Sequence, residues 1–304
     1  MLIAALTSVA LLGAVEHVST SAAAKDQAPS QRVIIVLKNQ VRKLPATRRL
    51  AQARRSAVRS IQAPLTRQLA AAGSTNVRSY SLLNAGSATV TPAERTTLRS
   101  NPAVSEVVAD QLIHLAPATP TTGTGASAAA ASGSPAASGV CSAPGKTQLN
   151  PEALGSVHAD SDTPGAQTPR SLGFDGSGVT VAFIADGLDI NNLDFIRANG
   201  QHVFVDYKDF SGEGTGVPTG GEEAFGDASS IAAQGRQVYD VSNFGPHAVT
   251  TPCDIRVEGV APGARLVGLD IFGAEDKGFN SSFLDAINYA VTADHVNVLN
   301  ESLR

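Results

Sequence analysis

The chain has 304 residues, 16% of them charged and 42% hydrophobic, and a formal net charge of −4. That length predicts about two domains, each large enough to bury a core. Ordinary usage of Gly (28) and Pro (16) excludes a collagen-like chain, and two cysteines exclude a disulfide-dense scaffold or a multi-cysteine metal module.

The charge is unevenly placed. Residues 1–115 carry 14 Lys+Arg against 5 Asp+Glu, and residues 116–304 carry 9 against 22. A basic arm that binds a polyanion is one reading. Mutual attraction of the two halves is the other, and it needs no outside molecule.

In chain order, Leu2–Val15 is an apolar run of signal-peptide length, followed by the small residues Ala22-Ala23-Ala24. Residues 1–24 are therefore expected to be a signal peptide of a secreted protein, although no Lys or Arg precedes the run. Export would permit Cys141 and Cys253 to pair.

Residues 31–113 read as a first folded unit. Val33–Leu37 is an apolar strand. Between Ala46 and Ala72, Val58, Ile61, Leu65 and Leu69 form one apolar helical stripe among arginines, with Pro64 expected to kink the helix or start a second one. Val77–Leu83 and Ser87–Val90 read as strands around an Asn84-Ala85-Gly86 turn. Thr91 and Glu94 form a capping box with Pro92 at the first helical position, and Asn101-Pro102 ends that helix. Val104, Val107 and Val108 mark a last strand. The order β-α-β-β-α-β is the ferredoxin-like arrangement.

Residues 114–150 are rich in Ala, Ser, Thr, Gly and Pro, which predicts a disordered linker. Pro144-Gly145-Lys146-Thr147 is not a phosphate loop, because Val140 stands where the motif needs Gly.

From 151 to 304 strands and helices alternate, the pattern of an α/β parallel sheet. Val179–Ile184 is apolar at nearly every position, as in strands covered on both faces, and leads into Ala185-Asp186-Gly187. Small residues from Gly226 to Gly235 predict a helix with Asp227 in its first turn. Leu266–Ile271 is a second buried strand. Ser281 or Ser282 is expected to cap a helix whose apolar face holds Phe283, Leu284, Ile287 and Val291. Val296–Asn300 follows as a strand.

Gly176-Ser-Gly-Val-Thr-Val-Ala-Phe-Ile with Gly187-Leu188-Asp189, then Gly259-Val-Ala-Pro-Gly-Ala264, then Ala286-Ile-Asn-Tyr-Ala290, then Val298-Leu-Asn-Glu-Ser-Leu303 resemble the subtilisin-like serine protease (subtilase) family in the family's order. The unit in front, closing on Pro102-Ala-Val-Ser-Glu-Val-Val-Ala-Asp110, resembles the family's propeptide. The resemblance implies a partial subtilisin-like parallel sheet with flanking helices behind a small α+β ferredoxin-like prodomain. It also implies a secreted endopeptidase zymogen acting on proteins or peptides, with an intramolecular prodomain–catalytic domain contact. Residues 110–117 would lie in the cleft like a substrate, and docking would weaken as salt rises.

The departures bear on chemistry. The resemblance puts the catalytic Asp at Ala185, so Asp186 is its displaced candidate. It puts the general-base His at Asp227, and Ser302 and Leu303 in the substrate-binding strand. No Gly-x-Ser-x-Ala segment supplies a nucleophile, so the chain is expected to be an inactive fragment of a longer product. An Asp is about 2.6 pKa units less basic than a His, roughly 3.5 kcal/mol. A second carboxylate nearby would narrow that gap, and Glu223 stands four residues before Asp227. A catalytically silent, peptide-binding homologue and a basic ferredoxin-like polyanion-binding module are the alternatives. No cofactor, catalytic metal, nucleic acid or membrane (after signal removal) is called for. Asp189 and Asp194 could hold a structural calcium ion, but scattered acids ordinarily sit in solvated turns.

Overall fold

The computed structural model describes residues 29–115, 148–149, 151–161, 163–214, 222–240 and 254–303. The signal-peptide reading, Cys141, Cys253 and nearly all of the linker lie outside the described residues. The described elements are β1 (Gln31–Leu37), α1 (Ala51–Ala71), β2 (Thr75–Tyr80), β3 (Ala85–Val90), α2 (Pro92–Ser100), β4 (Val104–Ala109), β5 (Leu112–His114), β6 (Gln148–Leu149), α3 (Pro151–Ser156), β7 (Thr180–Ala185), β8 (Phe204–Asp209), α4 (Glu222–Ala232), β9 (Tyr239–Asp240), β10 (Asp254–Arg256), β11 (Arg265–Asp270), β12 (Lys277–Phe279), α5 (Asn280–Thr292) and β13 (Val298–Asn300).

The N-terminal sheet has the order β2-β3-β1-β4, antiparallel throughout, with the β-α-β-β-α-β sequence of elements that the pattern predicts. Because strand side chains alternate, Val33, Ile35 and Leu37 share one face, and Leu65 and Leu69 of α1 and Leu98 of α2 bury against it. The helix α1 continues through Pro64 as one element, so no second helix starts there. The ring costs one backbone bond, but packing of Leu65 and Leu69 beyond it holds the last turns on the sheet. The sequence pattern also missed Arg54. Its buried guanidinium donates to the carbonyls of Ser81 (2.9 Å) and Leu44 (2.7 Å), fixing the loops at one end of the sheet.

In the C-terminal unit β13-β7-β11-β8 form a sheet in which every pairing is parallel, so the α/β fold class holds. The even apolar run of β7 now has its reason. Val181, Phe183 and Ala185 pack toward Ala224, Ala228 and Ala232 of α4, and Ala182 and Ile184 pack toward Ala286 and Ala290 of α5. Small residues on both helices let them lie close to the strands. The helix α4 begins at Glu222, so Asp227 stands in its second turn and not in the first. The buried face of α5 is Ser282, Ala286 and Ala290, with Phe283 and Ile287 at its flanks.

The two units meet over α5. The second face of the N-terminal sheet carries Arg32, whose guanidinium pairs with Asp110 (2.9 Å), donates to Ser281 (2.9 Å) and lies 3.8 Å from the Phe279 ring centroid. No serine caps α5. The Asp110 carboxylate does so from the other unit, accepting the Ser281 N–H (2.8 Å) and hydroxyl (2.7 Å). At the opposite end Arg55 donates to the Thr292 carbonyl and Arg48 to the His295 carbonyl, each at 2.8 Å. Arg78 pairs with Asp285, the one ion pair crossing between the units among the described residues. Finally, β5 adds to β12 as an antiparallel strand, with Ile113 opposite Gly278, and Leu115 buries among Ile271, Phe272 and Ala286. Among the described residues no helix is long and apolar enough to cross a membrane.

Candidate functional site

Ligands of open parallel sheets gather at the carboxyl ends of the strands. Here the ends of β7, β11 and β8 bring Asp186, Asp270 and Asp209 to one rim, since Asp270 pairs in register with Ala185 on one side and Asp209 on the other. Ala185 is fully buried in the core that faces α4. Asp186 also turns toward α4: it is 2% exposed, and its Oδ1 accepts the Ala224 N–H at 2.7 Å. Ala224 is in the first turn of α4, where amides lack helical partners, so Asp186 acts as a remote cap of that helix.

Asp227 lies one turn further along α4 in a closed network. Its Oδ1 accepts the Ser302 hydroxyl at 2.6 Å and its Oδ2 accepts the Asn300 amide at 2.9 Å. The same Asn300 amide donates to Ser302 Oγ at 2.8 Å. Burial pushes the Asp227 carboxyl above its ordinary value, and the bonds from Ser302 and Asn300 oppose that rise. The upward push thus has burial as its source, where the sequence had pointed to a neighbouring carboxylate. A groove of about 480 Å³ opens beside this network, lined by Glu222, Glu223, Asp227, Ser230, Ser302 and Leu303.

Three of the four sequence-derived residues, Asp227, Ser302 and Leu303, therefore line one groove, while Asp186 sits buried behind the N-terminus of α4. Asn300 was not singled out as a site residue. Its position in Asn300-Glu301-Ser302 places residues 300 and 302 on one side of an extended segment, which is the signal that could have found it.

Asp270 and Asp209 were also missed. Asp209 is spent on its own loop, accepting from the amides of Ser211 (2.6 Å) and Gly214 (2.6 Å), and these bonds hold it below its ordinary value despite partial burial. Asp270 is the reverse case. It is 2% exposed, its Oδ1 has no hydrogen-bond partner, and burial together with Asp209, Asp186 and Glu213 pushes it up to about 7. Of the residues considered for calcium, Asp194 is fully buried and accepts from the amides of Arg236 (2.7 Å) and Gln237 (2.8 Å) and from the Tyr239 hydroxyl (2.9 Å). Asp189 accepts from Asn191 N at 2.9 Å. Among the described residues no group of three His, Cys, Asp or Glu is placed to hold a metal ion.

No protein-family model matches the chain. Over 140 residues, 46% of its length, the chain is 27% identical to the minor extracellular protease Vpr of Bacillus subtilis (strain 168). The chain spans 15% of the length of that relative. The similarity is thus a distant one to an extracellular protease.

Proposed function

We propose that the chain is the N-terminal part of a secreted subtilisin-like endopeptidase precursor, with residues 31–113 as an inhibitory prosegment and residues 151–304 as the first part of the catalytic domain. The observation that carries this reading is the seating of the prosegment's tail. The strand β5 completes β12 by backbone pairing and Leu115 fills an apolar pocket beyond it. Strand addition with an anchored side chain is how extended peptides are bound.

In this reading Asp227 takes the proton of a hydroxyl nucleophile brought by the rest of the protein. A carboxylate must be ionised to do so, so activity rises with pH through the carboxyl value of Asp227. Burial lifts that value above the ordinary carboxylate range, so the rising limb lies above that of a free carboxylate. Asn300 and Ser302 hold the carboxylate toward the groove.

A second reading, a silent homologue that binds peptides without cleaving them, is favoured by one observation. Ala185 occupies the core position where the family resemblance expects a carboxylate, and Asp186 beside it is committed to the α4 backbone. Casein digestion by the full-length product from about pH 3 to pH 9, with Asp227→Asn alongside, separates the two. Turnover that rises with pH in the parent and is lost in the variant supports the endopeptidase. Peptide binding without turnover at any pH supports the silent homologue, and neither binding nor turnover refutes both.

A further inference from the structure

Outside the acidic rim, the molecule has a cavity of the opposite character. It measures about 600 Å³ and lies along the seam between α1 and α5. One wall is the α1 face bearing Arg55, Arg59 and Arg67, and the other includes Asn288 and Thr292 of α5. Residues 55, 59, 63 and 67 recur every four positions, so they form a single stripe on the helix, with Ala63 leaving space between the arginines. The rest of the lining is mainly uncharged and polar, with Gln62, Thr66, Ser79 and Ser81.

Among the described residues nothing acidic balances the charge of this cavity. No Asp or Glu lines it. Arg55 spends one donor on the Thr292 carbonyl, while Arg59 and Arg67 are exposed and take part in no ion pair among the described residues. A guanidinium carries five N–H donors in a planar fork suited to phosphate oxygens. Three such forks open on one polar cavity. Along α1 the three Cα atoms span about 18 Å, from 12 residues at roughly 1.5 Å each. One orthophosphate cannot meet all three side chains, whereas a chain of linked phosphates can.

We propose that this seam is a binding site for a linear oligophosphate, held by Arg55, Arg59 and Arg67 and closed by α5. Since the second wall belongs to the other unit, the ligand binds the docked arrangement and stabilises it by linkage. The site is independent of the endopeptidase reading, because none of its residues belongs to the groove at Asp227.

The test is calorimetric titration of the full chain with tripolyphosphate, run in EDTA so that metal chelation is not read as binding. Expected are saturable binding at least about tenfold tighter than to orthophosphate, and a rise in the melting midpoint with ligand. Arg59→Gln/Arg67→Gln should weaken binding by at least about tenfold while the ligand-free melting midpoint stays put. Arg42→Gln/Arg99→Gln, which removes the same charge from exposed positions outside the cavity, should bind as the parent does. The proposal is overturned by no saturable binding at millimolar tripolyphosphate, by equal affinity for orthophosphate, or by equal losses in the two double variants.

Discussion

Replacing Asp270 by Asn should stabilise the protein above neutral pH and leave it little changed in acid. Asp270 closes β11 between two other rim aspartates, 2% exposed and with one oxygen unpartnered. Its carboxyl is pushed from 3.8 to about 7, first by burial and then by Asp209, Asp186 and Glu213. A carboxyl raised on folding binds its proton more tightly in the native state. Stability is therefore highest below the unfolded value and falls as pH climbs from about 4 to about 7. A rise of about three units corresponds to roughly 4 kcal/mol, trimmed to about 2–4 kcal/mol by screening at the rim. The Asn side chain never ionises, and its N–H₂ group can donate to the acids around it. Urea denaturation of the full chain at about pH 4 and pH 8, parent against variant, reads the difference directly. Asp227 and Asp285 are also raised and Asp294 reaches about 6, while Glu94 and Asp175 are lowered, so each protein has a pH slope of its own beside that of Asp270. Those contributions cancel in the comparison. A parent–variant gap that stays constant between the two pH values would refute the reasoning.

Three further outcomes are expected. Arg78→Ala removes the partner of the largely buried Asp285, whose carboxyl burial already raises; the loss should be about 1–3 kcal/mol at pH 8 and clearly smaller at pH 4 by the same denaturation. Gly278→Ala would place a Cβ 2.4 Å from the Ile271 carbonyl oxygen, so β12 must shift; faster amide hydrogen exchange at Leu115, whose N–H bonds to the Asp276 carbonyl at 2.8 Å, should accompany a loss of at least about 2 kcal/mol. Thr91→Ala removes the side-chain half of the capping box, the acceptor of the Glu94 N–H, and leaves the backbone N–H of residue 91 to the Glu94 carboxylate; it should cost about 1 kcal/mol, measured by thermal melting.

What could be read from the sequence was whatever a local pattern fixes. The stripe on α1, the capping box of α2 and the strand β7 each announce themselves within a dozen residues. Other features are set by partners far along the chain. The helix α4 starts four residues before the small-residue run because the Asp186 carboxylate, 38 positions away, accepts the Ala224 amide. The cap of α5 comes from Asp110, 171 positions away, where the local pattern offers only Ser281 or Ser282. The strand β8 escaped notice because it lies at the sheet edge, where Asp206 and Lys208 interrupt any apolar run. At the candidate site, Asp227 and Ser302 were legible through the family resemblance. Asp270 was not, because an acid after an apolar strand looks like the opening of a solvated turn until its neighbours in the sheet are known.

The charge asymmetry is expressed in the structure through few ion pairs. A basic first unit against an acidic second one predicts a seam of acid–base pairs, yet only Arg78 and Asp285 form one between the units among the described residues. The basic unit instead matches the dipole of a single helix. It sets a carboxylate, Asp110, at the amino end of α5 and two guanidiniums, Arg48 and Arg55, at the carboxyl end. Each such contact satisfies backbone groups that a helix leaves unpaired at its ends. This arrangement fixes direction as well as position: turned end for end, α5 would meet like with like at both ends. Arg59 and Arg67 follow Arg55 along the same face of α1, and among the described residues no acid lines the cavity they border. Docking accounts for Arg48 and Arg55, and the oligophosphate proposed above is the counter-charge for Arg59 and Arg67.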